Sequence, residues 1–289
     1  MIYLKMKKNN IYWLLAAMAL TACATDNDIT SQTYLADDDN AVSIASATRG
    51  AAADAPVKSF HLINTTQRDM YNTKYECGFM LDGDTYKPIN GKVMWYNETD
   101  ANGQMTANVF EAFTPFTTAD NNSSFTTFEL PTNQSTADLL ETADWMTATV
   151  TTPKTTDASG NVVPLSLQFS HRLAKLHFDV TLKDDANNIS SGSLKVLGDI
   201  TPYYNRNDKT IEAIVDQRAD YSNKSLIDIS TDRGETLSIA IPQGLSFAEG
   251  KQYNFTLLIG HDKMSISVSV TEWTETTIDL GDDYEATQS

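Results

Sequence analysis

Beyond Pro56 apolar and polar residues alternate with a period of two along most of the chain, the pattern of strands with one buried face. The clearest case lies near the C-terminus. Tyr253, Phe255, Leu257 and Ile259 alternate with Asn254, Thr256 and Leu258, and Gly260-His261-Asp262-Lys263 supplies a turn. Met264, Ile266, Val268 and Val270 then alternate with Ser265, Ser267 and Ser269. This predicts a hairpin with one apolar and one mostly polar face. Leu237, Ile239 and Ile241 predict another strand, which Pro242 ends. Between Leu165 and Val180 the apolar set changes parity, odd from Leu165 to Leu173 and even from Leu176 to Val180. A β-bulge or kink near Ala174-Lys175 is the expected cause, with His171 pointing inward and His177 outward. Helical spacing is confined to Thr136–Met146.

Residues 153–162, with Pro153, Asp157, Ser159, Gly160 and Asn161, are the best break between patterned segments. The expected architecture is therefore all-β, two antiparallel β-sandwich domains in tandem over residues 57–160 and 161–289. Residues 24–56 are poor in large apolar side chains and carry the acidic run Asp37, Asp38, Asp39. Within them Ala41–Thr48 alternates weakly and could add one strand to a sheet. Arg49-Gly50 follows, set among small residues, and is read as an exposed bond open to a trypsin-like protease. Composition leaves an ordinary linker arginine equally open.

The chain has 289 residues, 21 basic and 38 acidic, for a net charge of −17. That field repels phosphate backbones, so nucleic acid is not an expected partner. Lys5, Lys7 and Lys8 precede the short apolar stretch Ile11–Leu20, which reads as a signal peptide over residues 1–22. It ends in Leu20-Thr21-Ala22-Cys23, which resembles a bacterial lipobox. In such signals the cysteine is lipidated and becomes the first mature residue, so Cys23 is the expected lipidation site. A chain beginning there keeps all 38 acidic residues and 18 basic ones, a net −20. Acyl chains hold a protein to a membrane by roughly 0.8 kcal/mol per buried CH₂. The acidic Ala24-Thr25-Asp26-Asn27-Asp28 resembles the export tag of surface lipoproteins in Bacteroidetes. Cys77 is then left without an intramolecular partner and is expected to be a buried, inert thiol.

No nucleophile elbow, phosphate loop, dinucleotide fingerprint or zinc-binding helix motif is found, so no catalytic residue, metal or cofactor is expected. Asp82-Gly83-Asp84 and Asp184-Asp185 match only fragments of a calcium loop and read as turns. His171 is expected to be a hydrogen-bonded core histidine. Trp95, Tyr96, Trp145, Tyr203, Tyr204 and Trp273 include candidates for stacking on sugars, most of them read as core or rim residues.

The order of several segments is more informative than any one of them. Val109-Phe110-Glu111-Ala112-Phe113-Thr114-Pro115 precedes Phe128-Glu129-Leu130-Pro131-Thr132-Asn133-Gln134. Ala137-Asp138-Leu139-Leu140 and Phe169-Ser170-His171-Arg172-Leu173-Ala174-Lys175-Leu176 follow. Ile241-Pro242-Gln243, Phe247-Ala248-Glu249-Gly250-Lys251-Gln252-Tyr253 and Trp273 complete the series. Over residues 57–280 this resembles the fimbrillin family of Bacteroidetes, the Mfa-like surface-pilus proteins. The resemblance implies two transthyretin-like sandwiches in a lipoprotein precursor, exported to the outer membrane and built into a fimbrium. It also implies that a trypsin-like protease trims an N-terminal strand, here Ala41–Thr48 with the cut at Arg49-Gly50. A donor strand from a neighbouring subunit then fills the groove. The candidate donor is Thr274–Ser289, with Ile278 and Leu280 as its apolar positions. If uncut, the chain stays tethered as an anchor. Other pilus subunits and the outer membrane are the implied partners. Host or bacterial surface glycans or proteins are the adhesion targets to consider, and a stand-alone glycan-binding lipoprotein is the rival reading.

Overall fold

A computed structural model of the protein describes residues 40–49, 56–66, 76–89, 91–96, 99, 102–116, 128–183, 189–231, 236–260, 264–273, 276–285 and 287–288. The expected signal peptide and Cys23 lie outside them. The described residues are almost all β, as the alternation predicts. β1 spans Ile44–Arg49, β2 Ser59–Asn64, β3 Glu76–Asp82, β4 Thr85–Pro88 and β5 Asn108–Thr114. Helix α1, Ala137–Ala143, is followed by β6 Met146–Thr152 and β7 Leu165–His171. These seven strands form one sheet in the order β1-β7-β6-β5-β2-β3-β4. Every neighbouring pair is antiparallel except β1 with β7, which is parallel.

The sheet curls until its edges meet. The Tyr86 hydroxyl on β4 lies 3.0 Å from the carbonyl of Ala47 on β1 and 2.9 Å from that of Val57, donating to one at a time. Phe60, Leu62, Phe79, Phe110, Leu167 and Phe169 fill the space enclosed. Loop 153–162, expected to divide residues 57–160 from 161–289, joins two strands of this one sheet. Asp157 pins it, accepting from the backbone N–H groups of Ser159 and Asn161 at 2.8 and 2.9 Å.

The chain leaves the sheet at Arg172–Leu173, and there the parity change finds its cause. No bulge within a strand is involved. β7 ends at His171, and β8, Ala174–Leu182, begins in a different sheet, so each strand keeps one phase. β9 is Ile189–Val196, β10 Tyr203–Asn205, β11 Thr210–Val215, β12 Ser225–Thr231 and β13 Thr236–Ala240. β14 is Lys251–Ile259, β15 Met264–Glu272, β16 Thr276–Glu285 and β17 Thr287–Gln288. They form a six-stranded sheet, β10-β11-β8-β14-β15-β16, and a four-stranded one, β17-β13-β12-β9. β8 and β14 run parallel. Leu176, Phe178, Ile211 and Phe255 of the first sheet share a core with Leu194, Val196, Ile227 and Ile239 of the second. The hairpin predicted near the C-terminus is β14–β15, in register from Lys251↔Glu272 to Ile259↔Met264.

The solvated face of the six-stranded sheet carries a charged group. Glu212 receives Lys175 at 2.6 Å and His177 at 3.0 Å. Burial pushes the Glu212 carboxyl up, but the His177 hydrogen bond and the Lys175 charge outweigh it and hold it at about 2. The hydrogen bond to Glu212 raises His177 above its ordinary 6.5 against the opposing effect of burial. A raised histidine contributes stability fully below 6.5 and loses it as pH rises through the folded value. Stability is therefore expected to fall across neutral pH on the alkaline side of 6.5. His177→Gln should flatten that slope and cost about 0.5–1 kcal/mol at pH 6, measured by urea unfolding at several pH values.

Candidate functional site

β1 is the element with the least conventional placement. Val42, Ile44 and Ala47 turn into the core of the first sheet, three modest side chains against the aromatic group behind them. Phe60 is 0% exposed there, stacked on Phe79 at 5.5 Å and tilted against Tyr86 at 5.4 Å and Phe169 at 5.5 Å. Along β7 the register runs from Ile44↔Leu165 to Arg49↔Phe169, with a shift between Ile44 and Ser46. The opposite edge of β1 is closed locally. Val57 N–H donates to the Ala47 carbonyl at 3.0 Å, and Thr48 pairs with Pro56.

Arg49 ends β1, and its side chain reaches α1. It is 27% exposed, and its guanidinium donates to Glu141 Oε1 at 3.1 Å. The other Glu141 oxygen accepts from Lys58 Nζ at 2.6 Å. Arg49 Nε is buried with no hydrogen-bond partner in the protein. Burial raises the Glu141 carboxyl, but Lys58 and Arg49 outweigh it and hold it below the usual range. Glu141 is positioned by α1, whose first turn is capped by Thr136 Oγ1 accepting from Leu139 N–H at 3.2 Å. The sequence offered no link between positions 49 and 141. Gly50, on the far side of the expected cut, lies outside the described residues.

The candidate donor stretch is already paired within its own chain. β16 forms the outer edge of the six-stranded sheet, with Ile278 opposite Val270, Asp279 opposite Ser269, and a register shift before Asp283 opposite Ser267. Leu280 falls within that shifted span. β17 continues onto the edge of the other sheet, pairing with β13 through Ser238↔Thr287 and Leu237↔Gln288.

Other residues singled out from sequence have settled roles. His171 is buried, 2.7 Å from Asp144 Oδ1, and its ring stacks on Trp273 at 3.7 Å. Its partner is a carboxylate at the C-cap of α1, outside any motif spacing. His177 faces solvent only in part because Glu212 and Asp179 flank it. Cys77 is buried as expected, and burial pushes its thiol up to about 12, with Glu76 adding to the effect, which disfavours the reactive thiolate. Asp82-Gly83-Asp84 is the turn of the β3–β4 hairpin. Trp95 is 2% exposed, edge-on to Phe110 at 5.0 Å, which removes it as a sugar platform. Among the described residues no cluster of three His, Cys, Asp or Glu side chains could hold a metal, and no helix is long and apolar enough to cross a membrane.

A family model described as fimbrillin-like matches residues 24–273. No curated protein matches the chain in sequence. Among solved structures, a provisionally assigned cell adhesion protein of Bacteroides uniformis aligns over 81% of this chain and 97% of its own, with a TM-score of 0.55 at 11% identity. A fimbrial protein of Bacteroides ovatus aligns over 77% of this chain, with a TM-score of 0.50 at 14% identity. Only half of that second protein's length is spanned. At such identities the likeness is one of fold.

Proposed function

The chain belongs to the fimbrillin-like family, and from that premise we propose that it is a non-enzymatic subunit of a bacterial surface pilus, assembled by strand exchange between subunits. Export proceeds as a lipoprotein with the lipid on Cys23, which brings the precursor to the outer membrane. A trypsin-like protease cuts between Arg49 and Gly50. Residues 23–49 leave with the lipid and with β1, and a strand from a neighbouring subunit takes the place of β1. An uncut chain remains membrane-tethered and serves as an anchor.

The observation that supports this reading is the way β1 is held. A parallel pair is slightly weaker per residue than an antiparallel one, and β1 contributes only Ile44 and Ala47 to the core, with Val42 just ahead of it. An incoming strand running the other way along β7 would make a stronger ladder and could carry larger side chains against Phe60 and Phe169. Exchange then runs downhill, driven by β-augmentation of an opened edge. The donor in this reading is the C-terminal stretch with Ile278 and Leu280. It must first leave β15, and as an edge strand it has a ladder on one side only.

Purified precursor treated with trypsin should yield a product beginning at Gly50 and then SDS-resistant ladders. Confirmed cleavage with no oligomer would overturn the exchange. Mass spectrometry of the chain from its native membrane should find either a lipidated Cys23 or a free Gly50 at the N-terminus.

The grip of Glu141 on Arg49 bears directly on the cut. A protease pocket must take the guanidinium away from Glu141. Glu141→Gln should therefore raise the rate of cleavage after Arg49 about two- to fivefold, the worth of a half-exposed ion pair. The check is intact-mass kinetics of the product beginning at Gly50, and an unchanged rate would remove Glu141 from the process.

A further inference from the structure

β15 ends at Glu272, and β16, the strand proposed as donor, begins at Thr276. Trp273 follows β15 directly and is tied twice to the passage between the first sheet and the other two. Its N–H donates to the Gly250 carbonyl at 2.9 Å, and Gly250 N–H donates to the Leu173 carbonyl at 2.9 Å. Its ring lies flat on that of His171, the last residue of β7, with 3.7 Å between ring centres and 6° between planes. His171 is held in turn, its Nδ1 lying 2.7 Å from Asp144 Oδ1. Asp144 is the C-cap of α1, and its N–H donates to the Glu141 carbonyl at 3.2 Å. Trp273 also packs against the apolar group formed by Leu140, Ala143, Leu173 and Ile214.

From this arrangement we infer that His171 and Asp144 are positioning residues for strand exchange, a latch on the root of the C-terminal strand that sets how readily the strand leaves β15. The inference rests on the reading of β16 as donor. Three observations carry it. Apolar contact alone would keep Trp273 covered in any of several orientations, whereas an imidazole fixed by a carboxylate offers a single plane to stack on. Second, His171 and Asp144 are 7% and 6% exposed, and a polar pair so buried is no better a stabiliser than apolar side chains of similar volume. Direction is what the pair adds. Third, β16 has few other ties. It lies at a sheet edge, its ladder to β15 is interrupted by a register shift between Ser267 and Ser269, and β17 adds only two pairs with β13. Once Trp273 lets go, that ladder can peel from its first pair, Glu272↔Thr276. The same short helix that fixes Asp144 grips Arg49 through Glu141. α1 thus holds both segments that exchange would move, the one to be removed and the one to be given.

The test is amide hydrogen exchange of the uncut full chain, read by mass spectrometry, which reports local opening. Trp273→Leu removes the stack and keeps an apolar side chain. It should speed exchange across Thr276–Glu285 about tenfold, the worth of one aromatic pair, with β5 and β12 unchanged. Trp273→Phe keeps a ring on His171 and should restore the rate to within about twofold. His171→Asn keeps a donor for Asp144 and removes the ring. It should give the same local rise, and it carries the test if Trp273→Leu does not fold. An unchanged rate over Thr276–Glu285, an equal rise in β5 and β12, or no rescue by Trp273→Phe would each overturn the latch. After trypsin, Trp273→Leu should release the product beginning at Gly50 at the ordinary rate and form ladders faster. Ladders formed no faster would overturn the part of the latch in donation. Hydrogen exchange is read on the uncut chain, so an absence of ladders from the unsubstituted protein counts against strand exchange alone, and the two failures are distinguishable.

Discussion

Phe60→Ala is expected to lower the stability of the β1–β7 sheet by about 3–5 kcal/mol, the usual cost of deleting a fully buried aromatic ring. Phe60 lies at the centre of the core that β1 covers. It stacks on Phe79 of β3, tilts against Tyr86 of β4 and Phe169 of β7, and lies under the side chains of β1. Sheet strands on both sides of the ring hold it rigidly, so the cavity cannot collapse and the loss should fall at the upper end. Urea unfolding measures it, with the midpoint displaced and the slope kept. The same curve tests the tandem-domain proposal. Two independently folding domains give two transitions with only one displaced, whereas a fused body gives a single displaced transition. A loss below about 1 kcal/mol would mean that the ring is not the keystone described.

Arg49→Gln should slow cleavage after position 49 by roughly 10⁴-fold. The reason is asymmetric. A protease pocket built around a carboxylate for guanidinium leaves that carboxylate buried and unpaired when a neutral amide enters. The folded chain itself should lose little, since the Arg49–Glu141 pair is half exposed and worth under about 1 kcal/mol. Intact mass after limited trypsin treatment gives the answer, with cuts at other basic residues serving as the internal control. Loss of the product beginning at Gly50, with ladders absent, is the expected result. Ladders formed by the uncut variant would show that β1 leaves, or is bypassed, without proteolysis.

The strands of the second half were largely legible because alternation marks one buried face. β14, β15 and β13 lie where Tyr253–Ile259, Met264–Val270 and Leu237–Ile241 alternate. Periodicity reports which side of a strand is buried and carries nothing about which sheet the strand joins. The parity change near Leu173 therefore looked like a bulge, when it marks the passage from one sheet to another. The parallel pairing of β1 was invisible for a related reason, since its partner lies beyond residue 160. Trp95 sits in a stretch rich in Asn and Gly and has a surface composition. It is buried because the chain at residues 40–42 pairs alongside it, Trp95 N–H donating to the Asn40 carbonyl at 2.9 Å, a contact across 55 positions, while its ring meets Phe110.

The candidate processing site was legible only in part. Arg49-Gly50 carries a local signal, a basic residue after a weak alternation and before small residues, so it could be found from the chain alone. Its restraint by Glu141 could not, because an ion pair across 92 positions leaves no pattern.

The segment before α1 behaves in an unusual way for connecting chain. Gln134 is wholly buried, and its side-chain amide pairs with β11 as a peptide group would. Its Nε2 donates to the Ile214 carbonyl at 2.9 Å, and its Oε1 accepts from Ile214 N–H at 2.8 Å. Its backbone N–H donates to Thr201, whose own N–H donates to Thr132, at 2.8 Å each. A stretch that precedes β6 in the chain is thus sewn to strands that follow β8. For a molecule whose proposed place is in a fibre exposed to drag, this seam is a mechanical part. A pull that separates the first sheet from the other two cannot simply straighten the link at Arg172–Leu173. It must also tear out Gln134, so tension is shared between two strands of chain running across the same gap.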